Sequence, residues 1–183
     1  MTKRRLFFAL WPDERVRREL TRNVAPVVAD IRRGQPGVAC YLPEDLHLTL
    51  VFIGAASDTY QACLSRAARR VSENEEIQPF SLEISRFGYF ERARIFWAGC
   101  QSCPAPLNRL QDTLVKALSG CGYEVESRTF KPHVTLARKA GKLQNLPAFT
   151  PVSWRVNGFC LVESLPVTEA PRYRVIEEFK FAV

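Results

Sequence analysis

Apolar residues along this chain recur at two spacings. Every second position marks half-buried strands, and every third or fourth marks helices. Arg5 to Leu10 reads as a short buried strand. Pro12-Asp13-Glu14 opens a helix with acidic residues in its first turn. Val16, Leu20, Val24, Val27 and Ile31 keep helical spacing after it. Pro26 falls inside that run and lacks a backbone donor, so a kink or a split is expected there. Gly34-Gln35-Pro36-Gly37 is a turn cluster, followed by a short extended piece near Ala39 to Tyr41. Leu46 to Ile53 reads as a strand ended by Gly54. Ser57 or Asp58 then caps a helix with Tyr60, Leu64, Ala67, Ala68 and Val71 on its apolar face.

The second half repeats the style. Phe80 to Phe87 alternates as one strand, and Arg94 to Ala98 as another, with a hairpin expected around Gly88 to Arg92. Pro104 starts a helix with Leu107, Leu110, Leu114 and Leu118 on one face, closed by Gly120. Phe130 to Ala137, Trp154 to Glu163 and Arg172 to Phe181 are three further strands, with Leu165 to Pro171 as the last loop. A strand–helix–strand unit therefore occurs about twice. This predicts an α+β fold: two antiparallel-rich sheets with helices outside and a groove between them, each half contributing one motif. Residues 1–183 are expected to form a single two-lobed domain.

Composition narrows the class. At 183 residues and 46% hydrophobic, the chain can bury a substantial core. No apolar run approaches the ~18 residues of a membrane span. The apolar stretch Leu6 to Trp11 is shorter than a signal-peptide core and runs straight into Pro12, Asp13 and Glu14, so a cytoplasmic protein is expected. The net charge of +7 is weighted toward arginine, whose planar fork matches phosphate oxygens, and an anionic partner such as nucleic acid suits it. The six cysteines are expected to be free, mostly buried thiols. Cys100 and Cys103 have zinc or redox spacing, but no second pair completes a zinc site.

The two histidines carry the candidate chemistry. Each opens the same pattern: His47-Leu48-Thr49-Leu50 and His133-Val134-Thr135-Leu136. With 9 threonines in 183 residues, a Thr two places after a given His arises by chance at about 1 in 20, and after both at about 1 in 400. On a strand, residues i and i+2 share a face, so each His points with its Thr while the alternate residues anchor a core. A phosphodiester hydrolysed without a metal needs a base for water and an acid for the leaving oxygen. Imidazole can serve as either near neutral pH. Threonine hydroxyls can hold the non-bridging oxygens. Zinc fits less well, because it usually takes at least three protein ligands and Thr is not one of them; no metal and no cofactor are expected.

With these motifs and their flanks, the chain resembles the two-histidine phosphoesterase superfamily, and within it the RNA 2′,3′-cyclic phosphodiesterases, also described as 2′–5′ RNA ligases. The resemblance runs nearly end to end: residues 5–10, 46–54, 130–138, 159–164 and 173–179 carry it. It implies a bilobal, pseudo-two-fold fold around a central cleft, and hydrolysis of a terminal RNA 2′,3′-cyclic phosphate to a 2′-phosphate, with His47 as proton donor and His133 as proton acceptor. The near-identity of the motifs leaves those roles interchangeable. Thr49 and Thr135 would hold phosphate oxygens. Arg138 matches a basic residue following the second motif in many relatives and would be a phosphate contact. Strict alternation puts Arg138 on the face opposite His133, so a bulge after Leu136 would have to bring it round. Tyr89 and Phe90 could stack on a base. RNA ends or small cyclic-phosphate nucleotides are the implied partners. Alternatives are 2′–5′ ligation of RNA ends at the same site, or a non-catalytic module that binds RNA ends. The presence of both His and both Thr disfavours the module.

Overall fold

A computed structural model describes residues 3–124, 129–166 and 171–182. Ten strands and three helices follow in order: β1 (Arg4–Leu10), α1 (Glu14–Gly34), β2 (Ala39–Cys40), β3 (Leu48–Ala56), α2 (Asp58–Ser72), β4 (Phe80–Ile84), β5 (Arg86–Phe90), β6 (Ile95–Gly99), α3 (Ala105–Ser119), β7 (Val134–Arg138), β8 (Val152–Val156), β9 (Gly158–Ser164) and β10 (Tyr173–Lys180). A 3₁₀ turn, Pro43–Asp45, precedes β3. The fold is α+β with two antiparallel sheets. The larger has the order β10-β9-β1-β3-β7-β6-β5, with β2 paired to β7, and the smaller is β4-β8.

The halves are related by topology. β3 and β7 lie side by side at the centre, joined by the pair Leu48↔Val134. Outward from them, β1 faces its counterpart β6, and β9 faces β5. The units β1-α1-β3 and β6-α3-β7 therefore correspond. β4 and β8, the strands preceding β5 and β9, pair with each other in the small sheet. The two-fold thus runs through both sheets.

The helices form where the apolar spacing predicted. Asp13 caps α1 by accepting from the Val16 N–H at 2.8 Å, and Ser57 caps α2 by accepting from the Tyr60 N–H at 3.2 Å. Each cap satisfies one of the unpaired donors of the first turn, worth about 1 kcal/mol. Leu107, Leu110, Leu114 and Leu118 of α3 are all fully buried. Truncating any one to Ala is expected to cost about 2–5 kcal/mol.

Several expectations need correction. Pro26 does not split α1, which runs unbroken with Val24, Val27 and Ile31 buried on one face. Packing on both sides of the proline outweighs one lost backbone bond. Phe80 to Phe87 is two strands divided at Ser85, and Trp154 to Glu163 is two strands divided at Asn157. In each case the first piece joins the small sheet and the second the large one. Gly88 lies within β5, so the hairpin turn sits at residues 91–94. Cys63 and Cys121 are joined in a disulfide, leaving Cys40, Cys100, Cys103 and Cys160 as thiols. The two sulfurs meet because α2 packs on α3 and Cys121 follows directly behind α3. Part of the Leu165 to Pro171 loop, residues 167–170, lies outside the described residues. No described helix is long and apolar enough to cross a membrane.

The main core lies on one face of the large sheet, where Leu6, Phe8, Leu10, Leu48, Val134 and Leu136 meet the helices. The opposite face carries a small apolar cluster of Phe7, Ala9, Cys160 and Val162. Candidate chemistry lies on this second face.

Candidate active site

Neither histidine lies within its strand. His47 and His133 each come immediately before the first residue of β3 and β7. The pair Leu48↔Val134 is antiparallel. Continuing its register by one residue sets His47 across from Thr135, and Thr49 across from His133. Residues directly opposite in an antiparallel pair share a face. All four polar side chains therefore share one face around the two-fold, each histidine at a position across from the other motif's threonine.

The imidazoles are held alike. His47 Nδ1 is 2.7 Å from the carbonyl oxygen of Asp45, and His133 Nδ1 is 2.7 Å from that of Lys131. A carbonyl only accepts, so in both rings Nδ1–H donates and Nε2 is the nitrogen left for chemistry. Each bond reaches the residue two places upstream, a local geometry shared by both motifs.

Their surroundings differ. His47 is 8% exposed. Trp11 stacks on its ring at 5.5 Å between centroids, Phe7 tilts against it at 4.9 Å, and Tyr173 meets it edge-on at 4.7 Å. His133 is half-buried, with Phe90 edge-on at 5.0 Å and Trp97 at 6.3 Å. Burial lowers the His47 pKa to about 4, and the charges of His133 and Arg138 push the same way against the Asp45 carbonyl bond. His133 is lowered by burial and by Arg138, against the Lys131 carbonyl bond. Both rings are thus neutral at pH 7 before any anion binds.

Arg138 reaches the same face. Ladder partners run Phe96↔Ala137 and then Trp97↔Thr135, which leaves Leu136 as an unpaired bulge residue. Leu136 and Ala137 both enter the core, and Arg138 returns to the side of Thr135. The Tyr41 backbone N–H donates to the bulged Leu136 carbonyl at 2.9 Å. Arg138 Nε donates to the Tyr41 hydroxyl at 2.7 Å. Tyr41 in turn lies 3.0 Å, hydroxyl to hydroxyl, from Tyr173. Burial first, and Tyr41 second, raise the Tyr173 pKa, so it stays a neutral hydroxyl.

Asp45 supports the His47 end. Fully buried, it accepts from the Arg172 backbone N–H through Oδ1 at 2.9 Å, while Arg172 Nε stands 3.9 Å from Oδ2. Burial raises its pKa although Arg172 opposes this. The carbonyl that orients His47 is therefore tied to the start of β10.

Of the two aromatic candidates, Phe90 lies beside His133, while Tyr89 donates its hydroxyl to the Ala140 carbonyl at 2.8 Å and packs toward the core. Sequence reasoning missed Phe7, Trp11, Tyr41, Asp45, Trp97, Arg172 and Tyr173. For Phe7 and Trp11 a signal was present: with Ala9 they follow a period of two. Cys100 and Cys103 do not join the site. Burial pushes the Cys100 thiol up to about 11, and Cys103 donates to Asn108 Oδ1 at 2.9 Å. Among the described residues no group of three or more His, Cys, Asp or Glu is placed to hold a metal ion.

Known proteins resemble this chain in sequence and in fold. An RNA 2′,3′-cyclic phosphodiesterase of Aeropyrum pernix is 30% identical over 152 residues, covering 76% of this chain and 84% of that protein. One from Thermotoga maritima is 29% identical over 176 residues, covering 91% of each. The crystal structure of Escherichia coli LigT complexed with 3′-AMP superposes with a TM-score of 0.85 at 26% identity, covering all of both chains. Residues 20–167 match the profile of the 2′–5′ RNA ligase superfamily, and the chain belongs to that superfamily.

Proposed function

We propose that this protein is an RNA 2′,3′-cyclic phosphodiesterase, opening a terminal cyclic phosphate to a 2′-phosphomonoester by general acid–base catalysis. The observation that carries this is the pair of equivalent imidazoles at the two-fold, each with Nδ1 occupied and Nε2 available, and each across from a threonine hydroxyl. His133 Nε2 takes a proton from water as its oxygen attacks phosphorus. His47 Nε2–H gives a proton to the 3′ oxygen as the P–O3′ bond breaks. Thr49 and Thr135 donate to the non-bridging oxygens. Arg138, with Nε engaged by Tyr41, uses its Nη donors on the phosphate.

His47 is depressed to about 4 in the free protein, so as donor it takes up its proton together with the anionic phosphate. The exchanged assignment, with His133 as donor, is favoured by the greater burial of His47, which makes His133 the easier ring to protonate. A substrate with sulfur in place of O3′ separates the two, because thiolate leaves without a proton. Turnover of this analogue is restored in the variant lacking the donor and not in the one lacking the base.

The test of the function is hydrolysis of an oligonucleotide ending in a 2′,3′-cyclic phosphate. His47→Ala and His133→Ala are each expected to lose about 10²–10⁴-fold in turnover while remaining folded. Near-wild-type turnover in either would overturn the mechanism, and a 3′-phosphate product would overturn the regiochemistry. Ligation to a 2′–5′ junction is the reverse reaction at the same site. Hydrolysis is favoured because water is abundant and paired RNA ends are not. The same proposal takes residues 1–183 as a single two-lobed domain acting on RNA in the cytoplasm; the continuous core and shared central sheet support its unity.

A further inference from the structure

The two motif strands correspond beyond their threonines. In β7 the residue three places after His133, Leu136, is bulged out of the ladder. In β3 the residue three places after His47 behaves the same way: partners run Phe8↔Val51 and then Ala9↔Thr49, leaving out Leu50. Leu50 and Val51 both enter the core, as Leu136 and Ala137 do. The fifth residue after each histidine therefore returns to the active face. In one half that residue is Arg138; in the other it is Phe52.

Phe52 is paired across the ladder with Phe7, whose ring packs on His47, so both lie on the face of the catalytic motifs. Phe52 is one of few large apolar side chains exposed among the described residues, at 38%. The guanidinium of Arg5 sits over its ring, 4.9 Å from the centroid. Among the described residues Arg5 has no carboxylate partner, so its charge is not spent on an ion pair. An exposed aromatic ring with an unpaired arginine, in line with a phosphate-handling motif, has the composition of a single-stranded nucleic-acid platform. There a base stacks on the ring and the cation meets the backbone. Five residues of extended, bulged chain separate Phe52 from His47, a backbone span of up to ~16 Å. That is beyond the base of the reacting nucleotide and within reach of nucleotides on its 5′ side.

We propose that Phe52 and Arg5 form a nucleobase-stacking subsite for RNA upstream of the cyclic phosphate, so that this protein distinguishes a polynucleotide end from a free cyclic mononucleotide. The proposal rests on the phosphodiesterase reading above. It also assigns polarity: the chain would run from the reacting phosphate along β3 toward Arg5, with Arg138 on the opposite arm.

The test compares kcat/KM for a 2′,3′-cyclic mononucleotide and for an oligonucleotide with the same terminal nucleotide. Base–aromatic stacking lost to alanine is worth roughly 5- to 150-fold. Phe52→Ala is expected to lower oligonucleotide kcat/KM by that range, chiefly through KM, and to leave the mononucleotide within about twofold. Phe52→Trp is expected to keep the preference, and Arg5→Ala to weaken it and flatten its salt dependence. Equal losses on both substrates, no loss on either, or a change of assembly state in Phe52→Ala by sedimentation would each overturn the subsite. If the wild-type protein hydrolyses neither substrate, the phosphodiesterase reading fails instead, and the two failures are told apart.

Discussion

The His47 half of the site is closed, and the His133 half is more open. His47 is wedged among Phe7, Trp11 and Tyr173, whereas the half-buried His133 meets Phe90 and Trp97. Across the outer ladders, Thr49 is opposed by Ala9 and Thr135 by Trp97. Five residues beyond each imidazole stand Phe52 and Arg138. The corresponding backbone puts two imidazoles and two hydroxyls on one face around the two-fold. The residues that do not correspond set how deeply each ring is buried, how much space lies over each threonine and where positive charge concentrates. The proposed catalytic groups follow the symmetry; their surroundings follow its violations.

The largest expected effects test the shared part. The double variant His47→Ala/His133→Ala should be little worse than either single variant, because residues acting as one unit are not additive. Fully additive losses would mean the two rings do not serve one step. Under the proposed mechanism Thr49→Val and Thr135→Val each remove one phosphate-oxygen donor, and kcat should fall about 10²–10³-fold in both. A loss confined to one of them would show that the hydroxyls are not equivalent, and steady-state kinetics on a cyclic-phosphate oligonucleotide decides it.

A pH measurement tests what differs. His47 binds its proton more weakly folded than unfolded, from 6.5 to about 4. The unfolded chain therefore takes up a proton first as pH falls. Stability from the neutral, buried ring is complete above pH 6.5 and is lost on descending to about pH 4. The displacement is worth about 3 kcal/mol. Asp45 is shifted the opposite way, but it is present in both proteins and cancels in the difference. In urea titrations, wild type should lose about 3 kcal/mol more than His47→Ala between pH 6.5 and 4. Parallel pH dependences would show that His47 is not buried as described.

The smallest expected effect is a perturbation of the His133 wall alone. A Cβ at Gly88 would lie 2.0 Å from the Trp97 ring, so Gly88→Ala must displace that ring. It should cost about 1–3 kcal/mol of stability and lower turnover, while leaving the His47 pH linkage in place. Loss of that linkage would show that the two halves are not separable.

Much of this was legible in the sequence. The period of the apolar residues located all three helices, and the repeated motif named the four central polar side chains. What escaped notice follows from physics that leaves no local mark. The breaks at Ser85 and Asn157 fall at polar positions inside a regular alternation, so a strand that changes sheets reads like one that does not. The bulge at Leu50 falls on an apolar residue that suits the core with or without it, whereas the one in β7 is expected only because the resemblance asks for Arg138 on the active face. Only the ladder shows that Arg138 and Phe52 regain the active face. The Cys63–Cys121 bond depends on how α2 meets α3, and six cysteines allow too many pairings to choose from spacing. Tyr41 and Tyr173 lie 132 positions apart, and no pattern links them.

The convergence of both histidines on one phosphorus atom is tested most directly by a crystal structure with a 2′-phosphorylated RNA product bound. Nε2 of His47 and of His133, with the hydroxyls of Thr49 and Thr135, should all lie within hydrogen-bond distance of that single phosphate or its attached oxygens. A phosphate held by only one of the two motifs, with the other imidazole out of reach, would contradict the account.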